Sequence, residues 1–337
     1  ALTRAMTDLG GPALGRPLRG WWTCFAVAVS ALAVGVVAVT YQLRTGIGTW
    51  GLNRSVGWAY DITNFVFWIG VGHAGTLISA ILLLFRQRWR AGVSRAAETM
   101  TIIAIVCAAI FPVIHLGRPW LMLWVLPLPN SRGPLWVNFS SPLTWDVFAI
   151  LTYFVVSLLF WYLGLLPDFA SLSHAATGWR RRVFGLLSLG WNGSLRTWAR
   201  YERTCLLLAG LATALVISVH SVVSFDFAAS LVPGWHTTIF PPYFVVGAIF
   251  SGMAMVLALL VVMRRAMALQ SYVTLQQLDA LCKIMLATSG LLGLAYLIET
   301  MTALYGNHGP DRFMLMLRMQ GPLAAYYWAM IACNVLV

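Results

Sequence analysis

Charge is scarce in this chain. Only 9% of its 337 residues are Asp, Glu, Lys or Arg, against roughly 25% in a soluble globular protein. Acids are scarcer than bases, ten against twenty-two. With 60% hydrophobic residues and a mean hydropathy of +0.80, so few charges cannot wet the surface around an ordinary core, and a soluble globular class is excluded. Cysteine is also sparse. Cys24, Cys107, Cys205, Cys282 and Cys333 stand singly, with no C-x-x-C pair of the kind that holds zinc or an iron–sulfur cluster. They read as small packing residues. A haem held between helices needs paired histidines, and only His115 with His220 offers a pair. No haem, cluster or metal bound by this chain is therefore expected.

What remains is long apolar runs. Eight approach the ~20 residues a helix needs to cross a bilayer: 21–43, 61–85, 98–117, 143–166, 203–225, 240–263, 281–304 and 321–337. Unpaired backbone groups are too costly in hydrocarbon for open strands, so the expected class is all-α, a polytopic transmembrane bundle of at least eight helices. The chain starts on Ala1, and its last run reaches Val337, so both ends read as incomplete. The first run is too long for a cleaved leader. The net charge of +12 invites a nucleic-acid reading, which its distribution removes. Sixteen basic residues fall in the N-terminal segment and in alternate loops near 86–97, 167–202 and 264–280; six fall on the other side. That asymmetry is the positive-inside pattern. It predicts a bacterial inner-membrane protein with a cytoplasmic N-terminus, in contact with membrane lipids and not with nucleic acid.

The connections differ by side. The stretch WRRRVFGLLSLGWNGSLRTWARYER reads as an interfacial amphipathic segment with Trp and Arg anchors. The loop 118–142 is rich in Pro and Trp and suits docking of a partner or capping of a pocket. An internal echo relates FWIGVGHAGTLISAILLLFRQRW at 67–89 to FVVGAIFSGMAMVLALLVVMRRA at 244–266. Gly70 matches Gly247, Ala74 matches Ser251, and Gly75 matches Gly252. Such small-residue faces also let helices approach closely without being duplicated. The expected organisation is 1–60 as a first helix with its loop, 61–225 as a four-helix bundle, and 240–337 as the start of a second bundle.

Ionisable residues inside the membrane are expensive and become functional candidates. Asp61, His115, Arg118, Asp146, Asp226 and Glu299 all fall at the periplasmic ends of five spans, with Asn64 and His220 slightly inside. His73 lies deeper, about 18 Å along its helix from Asp61 at 1.5 Å per residue. This crowding predicts a polar pocket on the periplasmic side. A quinol suits it, because quinol oxidation releases two protons and two electrons and needs bases such as Asp and His. We expect Asp146 and His73 to accept protons, Asn64, His115, Arg118 and Asp226 to bind the headgroup, and His220, Glu299 and Asp61 to pass protons. The electrons need a redox centre on another subunit. Glu98, Asp168 and Asp279, near the cytoplasmic ends, read as interfacial acids. Two other classes stand beside this reading: a secondary transporter with a parallel repeat, and a structural anchor for a redox partner.

The strings DITNFVFWIGVGHAGTLISAILLLFRQRWR, FPVIHLGRPW, SSPLTWDVF and HSVVSFDFA resemble the membrane-anchor family typified by NrfD and the polysulfide reductase membrane subunit. Within it they are most similar to the C subunit of bacterial alternative complex III. The resemblance runs from about residue 40 to the end. It implies two four-helix bundles with flanking helices and a (mena)quinol site near the periplasmic face. It also implies a neighbouring iron–sulfur subunit, monohaem or multihaem cytochrome c subunits, and a homologous second membrane subunit of the same family. A quinone-site Asn of the family falls on Asn64, whereas its next polar position falls on Phe67 and is not carried over. His73, Asp146 and Asp226 fall where the complex III branch keeps polar residues in its quinol pocket and proton route.

Overall fold

The structure, a computed structural model, describes residues 20–52, 59–124, 142–234 and 236–336. Among them every regular element is helical. The helices are α1 (Trp21–Thr45), α2 (Tyr60–Leu84), α3 (Ser94–His115), α4 (Pro142–Ala175) and α5 (Gly178–Leu187), followed by α6 (Leu195–Ala228), α7 (Phe240–Ala266), α8 (Leu275–Tyr305), α9 (Gly309–Gln320) and α10 (Ala324–Ile331). Seven of them, α1 to α4 and α6 to α8, are long and apolar enough to cross a bilayer. The eighth expected span is instead the short apolar stretch of α10 and the π-helical turn after it, Ala324–Leu336. Two boundaries also differ from expectation. Helix α4 continues past residue 166 through Pro167 to Ala175, because a proline removes one ladder donor and kinks a helix without always ending it. Helix α6 begins at Leu195, eight residues early. Most of the Pro- and Trp-rich 118–142 loop lies outside the described residues; its first part is a 3-10 turn, Pro119–Trp124.

The described residues form two compact units. One contains residues 20–51 together with Leu159–Cys205, and the other contains the described residues between 52 and 158 and those from 206 to 336. In the larger unit α2 is the central helix, buried continuously from Ile69 to Ala80. Its glycines explain how it came to the middle. A Cβ on Gly75 would run into the Ala97 carbonyl and the Thr101 hydroxyl of α3, and a Cβ on Gly252 of α7 would run into the Ala74 side chain of α2. Lipid tails are as apolar as leucine, so helices in a membrane gain little from burial alone and gain most from this close contact. The two echoing strings thus meet face to face, Gly70 and Ala74 of α2 against Ala248, Ser251 and Gly252 of α7.

Two apolar clusters follow from that placement. One joins Val71, Ala74 and Ile78 of α2 to Ala97 and Met100 of α3, Val256 and Leu260 of α7 and Leu281 of α8. The other joins Phe65, Ile69 and Leu77 of α2 to Ile105 and Ala108 of α3, Tyr153 of α4, and Val216, Val219 and Val223 of α6. This second cluster is the core of a four-helix arrangement, and the buried polar residues of these helices lie at its ends and in its middle. At the other side of the unit, α8 starts with a reciprocal cap. Thr274 Oγ accepts from the Gln277 amide, while Gln277 Oε1 accepts from the Thr274 amide. Gln277 Nε2 also donates to the Trp89 carbonyl at 3.1 Å, which ties this helix start to the turn after α2.

In the smaller unit α1 is exposed along almost its whole length, with Gln42 its single buried residue. Helix α5 folds back along the end of α4. Of the five cysteines only Cys205 is buried; Cys24, Cys282 and Cys333 lie on outward surfaces.

Candidate functional site

The start of α2, the end of α3, the start of α4 and the end of α6 share one end of the four-helix core. Each contributes an ionisable group there. Asp61, in the first turn of α2, is 8% exposed, and its carboxylate is hydrogen-bonded to Nδ1 of His115 at the last residue of α3. Asp146 on α4 is buried, and its carboxyl lies against that of Asp226 near the end of α6. One oxygen each of Asp61, Asp146 and Asp226 is enclosed without a hydrogen-bond partner. Buried polar atoms are nearly always satisfied, so three orphaned carboxyl oxygens at one end of one bundle mark a place where other polar atoms bond.

A second layer lies deeper. His73 of α2 is fully buried, and both of its ring nitrogens lack a partner. Its ring meets that of His220 on α6 edge-on, with centroids 4.5 Å apart, and that of Tyr153 on α4 at 4.4 Å. His220 is also buried, with an unpartnered Nδ1. The glycine beside His73 supplies the anchor for this layer: the Gly72 carbonyl accepts from the Tyr153 hydroxyl at 3.0 Å and from the Thr101 hydroxyl at 2.7 Å. That carbonyl is within reach because Gly72 has no side chain to hold α3 away.

Below this layer the polar face of α2 continues at helical spacing. Thr76 donates to Ser157 of α4 at 3.4 Å, and Ser79 donates to the Glu98 carboxylate of α3. Glu98 is 3% exposed and also faces Arg95 at 3.5 Å. Ser79 stands about 27 Å along α2 from Asp61, at 1.5 Å per residue. The polar groups of the bundle thus form three tiers: carboxyls with His115 at one end, imidazoles and a phenol in the middle, and hydroxyls with a carboxylate at the other end.

Asn64 donates to the Tyr60 carbonyl of its own helix at 2.8 Å. Arg118 is exposed. Glu299 accepts from Arg318 of α9 at 2.7 Å, and Arg318 also donates to the Gly234 carbonyl at 2.7 Å. These groups line a separate cavity of about 60 Å³ with His236, Thr237 and Asp311, room for a few waters and far too small for a quinone ring. Tyr153, Thr101, Thr76, Ser157 and Ser79 join the core without standing out as acids, bases or imidazoles in the sequence, and Glu98, expected as an interfacial acid, is buried. A signal was there: His73, Thr76 and Ser79 recur every third residue on the otherwise apolar stretch of α2 after Asn64.

With the fold and this polar core established, the class is that of an integral, multi-pass helical membrane protein. The chain belongs to the Polysulphide reductase, NrfD family, whose sequence profile matches residues 49–337. It is similar to a protein of Halobacterium salinarum named as a membrane subunit of a dimethyl sulfoxide reductase, at 26% identity over 71% of this chain and 50% of the relative. It is also similar to a subunit of the selenate reductase of Mesobacillus selenatarsenatis, 24% identical over 70% of this chain and 55% of the relative. The Hdr-like menaquinol oxidoreductase integral membrane subunit of Archaeoglobus fulgidus is 24% identical over 68% of this chain and 49% of the relative. The chain spans about half the length of these curated relatives.

Proposed function

We propose that this chain is the quinol-oxidising membrane subunit of an oxidoreductase complex of the alternative complex III type, working at the carboxyl-lined end of the α2–α3–α4–α6 bundle. The observation that carries the reading is the Asp146–Asp226 pair, with an enclosed, orphaned oxygen on each, at the same end of the bundle as the ends of the two further helices that hold Asp61 and His115. A quinol hydroxyl is both donor and acceptor, which is what a carboxyl pair with a free oxygen on each side can engage. Oxidation releases two protons and two electrons. Asp146 accepts the first proton, and Asp226 and the His115–Asp61 pair carry protons outward. The electrons leave to an iron–sulfur subunit docked at this end and from there to cytochrome c subunits. The relative named as a menaquinol oxidoreductase membrane subunit supports menaquinol as the substrate.

His73, His220 and Tyr153 form the next station inward, and Thr76, Ser157, Ser79 and Glu98 extend polar groups toward the far end of the bundle. This ladder supports proton transfer along the bundle coupled to quinol chemistry. The spanning helices are continuous among the described residues, without the unwound mid-membrane segments around which transporter sites are built.

The test is menaquinol oxidation by the assembled complex in proteoliposomes. Asp146→Asn and Asp226→Asn each keep the shape of the site and remove a proton acceptor. Each is expected to lower turnover by about a hundredfold or more, the usual contribution of a positioned acid or base, with the complex still assembled. Turnover within twofold of wild type in both variants would overturn the assignment.

A further inference from the structure

We infer that the hairpin made by α5 and the start of α6 is a binding site for anionic phospholipid headgroups. The inference rests on the same membrane-subunit reading and concerns the arginine-rich connection between α4 and α6.

Helix α5 does not project into water. The Tyr162 hydroxyl of α4 donates to the Leu187 carbonyl at the end of α5 at 2.7 Å, Ser173 donates to the Arg181 carbonyl at 3.2 Å, and Phe169 stacks on Phe184. Helix α5 therefore runs antiparallel to the end of α4 and returns to the level of Tyr162, inside the apolar run that ends near residue 166. The face turned away from α4 carries Trp179, Val183 and Leu186 at i, i+4 and i+7, and they are 70%, 40% and 77% exposed. Arg182 flanks this stripe. A short helix at the membrane boundary with an outward apolar stripe and adjacent arginines has the chemistry of an interfacial helix.

The turn that follows is tightly tied. Leu189, Gly190 and Gly193 take positive φ, and Asn192 accepts from the Ser194 amide at 3.1 Å and from the Thr197 hydroxyl at 2.7 Å. This sets Trp191 edge-on to Trp198 at 4.9 Å and to Tyr201 at 5.3 Å, a block of amphipathic rings of the type that marks headgroup level. Past the turn, Arg196, Arg200 and Arg203 stand at i, i+4 and i+7 on α6, a stripe about 10 Å long at 1.5 Å per residue. All three are exposed and have no ion pair among the described residues. Between Asp168 and Asp226 the sequence holds a single acid, Glu202. Guanidinium groups bind phosphate through paired, geometrically matched N–H donors, and a basic cluster at the cytoplasmic end of a span draws anionic lipid. An acidic soluble protein would meet the same arginines, but it would not bury Trp179, Val183 and Leu186 along a helix that re-enters the apolar level. The lipid accounts for both stripes.

The experiment uses the purified complex in mixed micelles of phosphatidylglycerol and phosphatidylcholine, with bound lipids counted by native mass spectrometry. Wild type is expected to retain phosphatidylglycerol in preference to phosphatidylcholine, with the preference falling as salt rises. Arg196→Gln/Arg200→Gln/Arg203→Gln is expected to reduce the preference at least threefold, and the Lys counterpart to keep part of it. Equal retention of both lipids by wild type would overturn the inference. So would an undiminished preference in the Gln variant, or co-purification of an acidic protein that covers this face in place of lipid. Thermal melting confirms that the variant is folded, and the Arg86→Gln/Arg264→Gln complex, altered on other loops, should keep the full preference. Asp146→Asn leaves the lipid preference intact, so failure of the quinol reading and failure of this one are read separately.

Discussion

At the scale of single residues, the two kinds of buried polar group in the bundle need different explanations. Thr101, Tyr153 and Thr76 are satisfied by partners and act as cross-links between helices. His73 is not: its two ring nitrogens face packed side chains without a partner. An unsatisfied buried polar group costs about 1–3 kcal/mol, so a histidine kept only for structure would be a poor choice. Leucine fills a similar volume without polar atoms. His73→Leu is therefore expected to leave the melting temperature of the detergent-solubilised complex unchanged or raised, while menaquinol turnover drops about tenfold or more. Normal turnover in that variant would show that His73 has no part in proton transfer.

At the scale of elements, glycine placement decides which helices touch. Gly75→Val would push a branched side chain into the Ala97 carbonyl and the Thr101 hydroxyl, and Gly252→Val would do the same at Ala74. Overpacking of this kind costs about 1–3 kcal/mol, and each variant should melt measurably lower. Gly35→Val on α1, where nothing lies near the added atoms, is the control and should melt as wild type. A melting point for Gly75→Val as high as that of the control would remove the close-packing account of α2. Helix α9 is held differently, through Arg318 to Glu299 and to the Gly234 carbonyl, with Asp311 accepting from the Gly234 amide at 3.1 Å. The pair is partly exposed, and Arg318→Ala should cost about 1 kcal/mol. Hydrogen exchange would report this as a roughly fivefold loss of protection in Gly309–Gln320, with the amides of α2 unaffected; unchanged exchange in α9 would mean that apolar contacts hold it instead.

At the scale of the whole molecule, the uneven spread of arginines makes a topological prediction. The loop between α7 and α8 follows Arg264 and Arg265 and should be cytoplasmic, which puts the turn between α8 and α9 on the periplasmic side. In a background with the five native cysteines replaced by serine, Ala268→Cys should react with a membrane-impermeant maleimide only after the cells are opened. Asn307→Cys should react in intact cells. The reverse pattern would invert the protein and with it the side on which quinol protons are released.

The long helices, the membrane setting and the family were legible in the residues themselves, because hydrocarbon thickness and positive-inside charge act on composition and order along the chain. So was the presence of Asp146, Asp226, His73 and His220 as costly polar groups. What the residues alone did not reveal was partnership. Asp61 with His115, Asp146 with Asp226, and His73 with His220 are joined across helices by contacts that depend on how far α2 sinks between α3 and α7. The same holds for Glu98: its position near a helix end suggests an interfacial acid, and only the rotation of α3 about its axis turns it inward to Ser79. Linear order sets which groups lie at which depth; the packing of one helix face on another decides which of them meet.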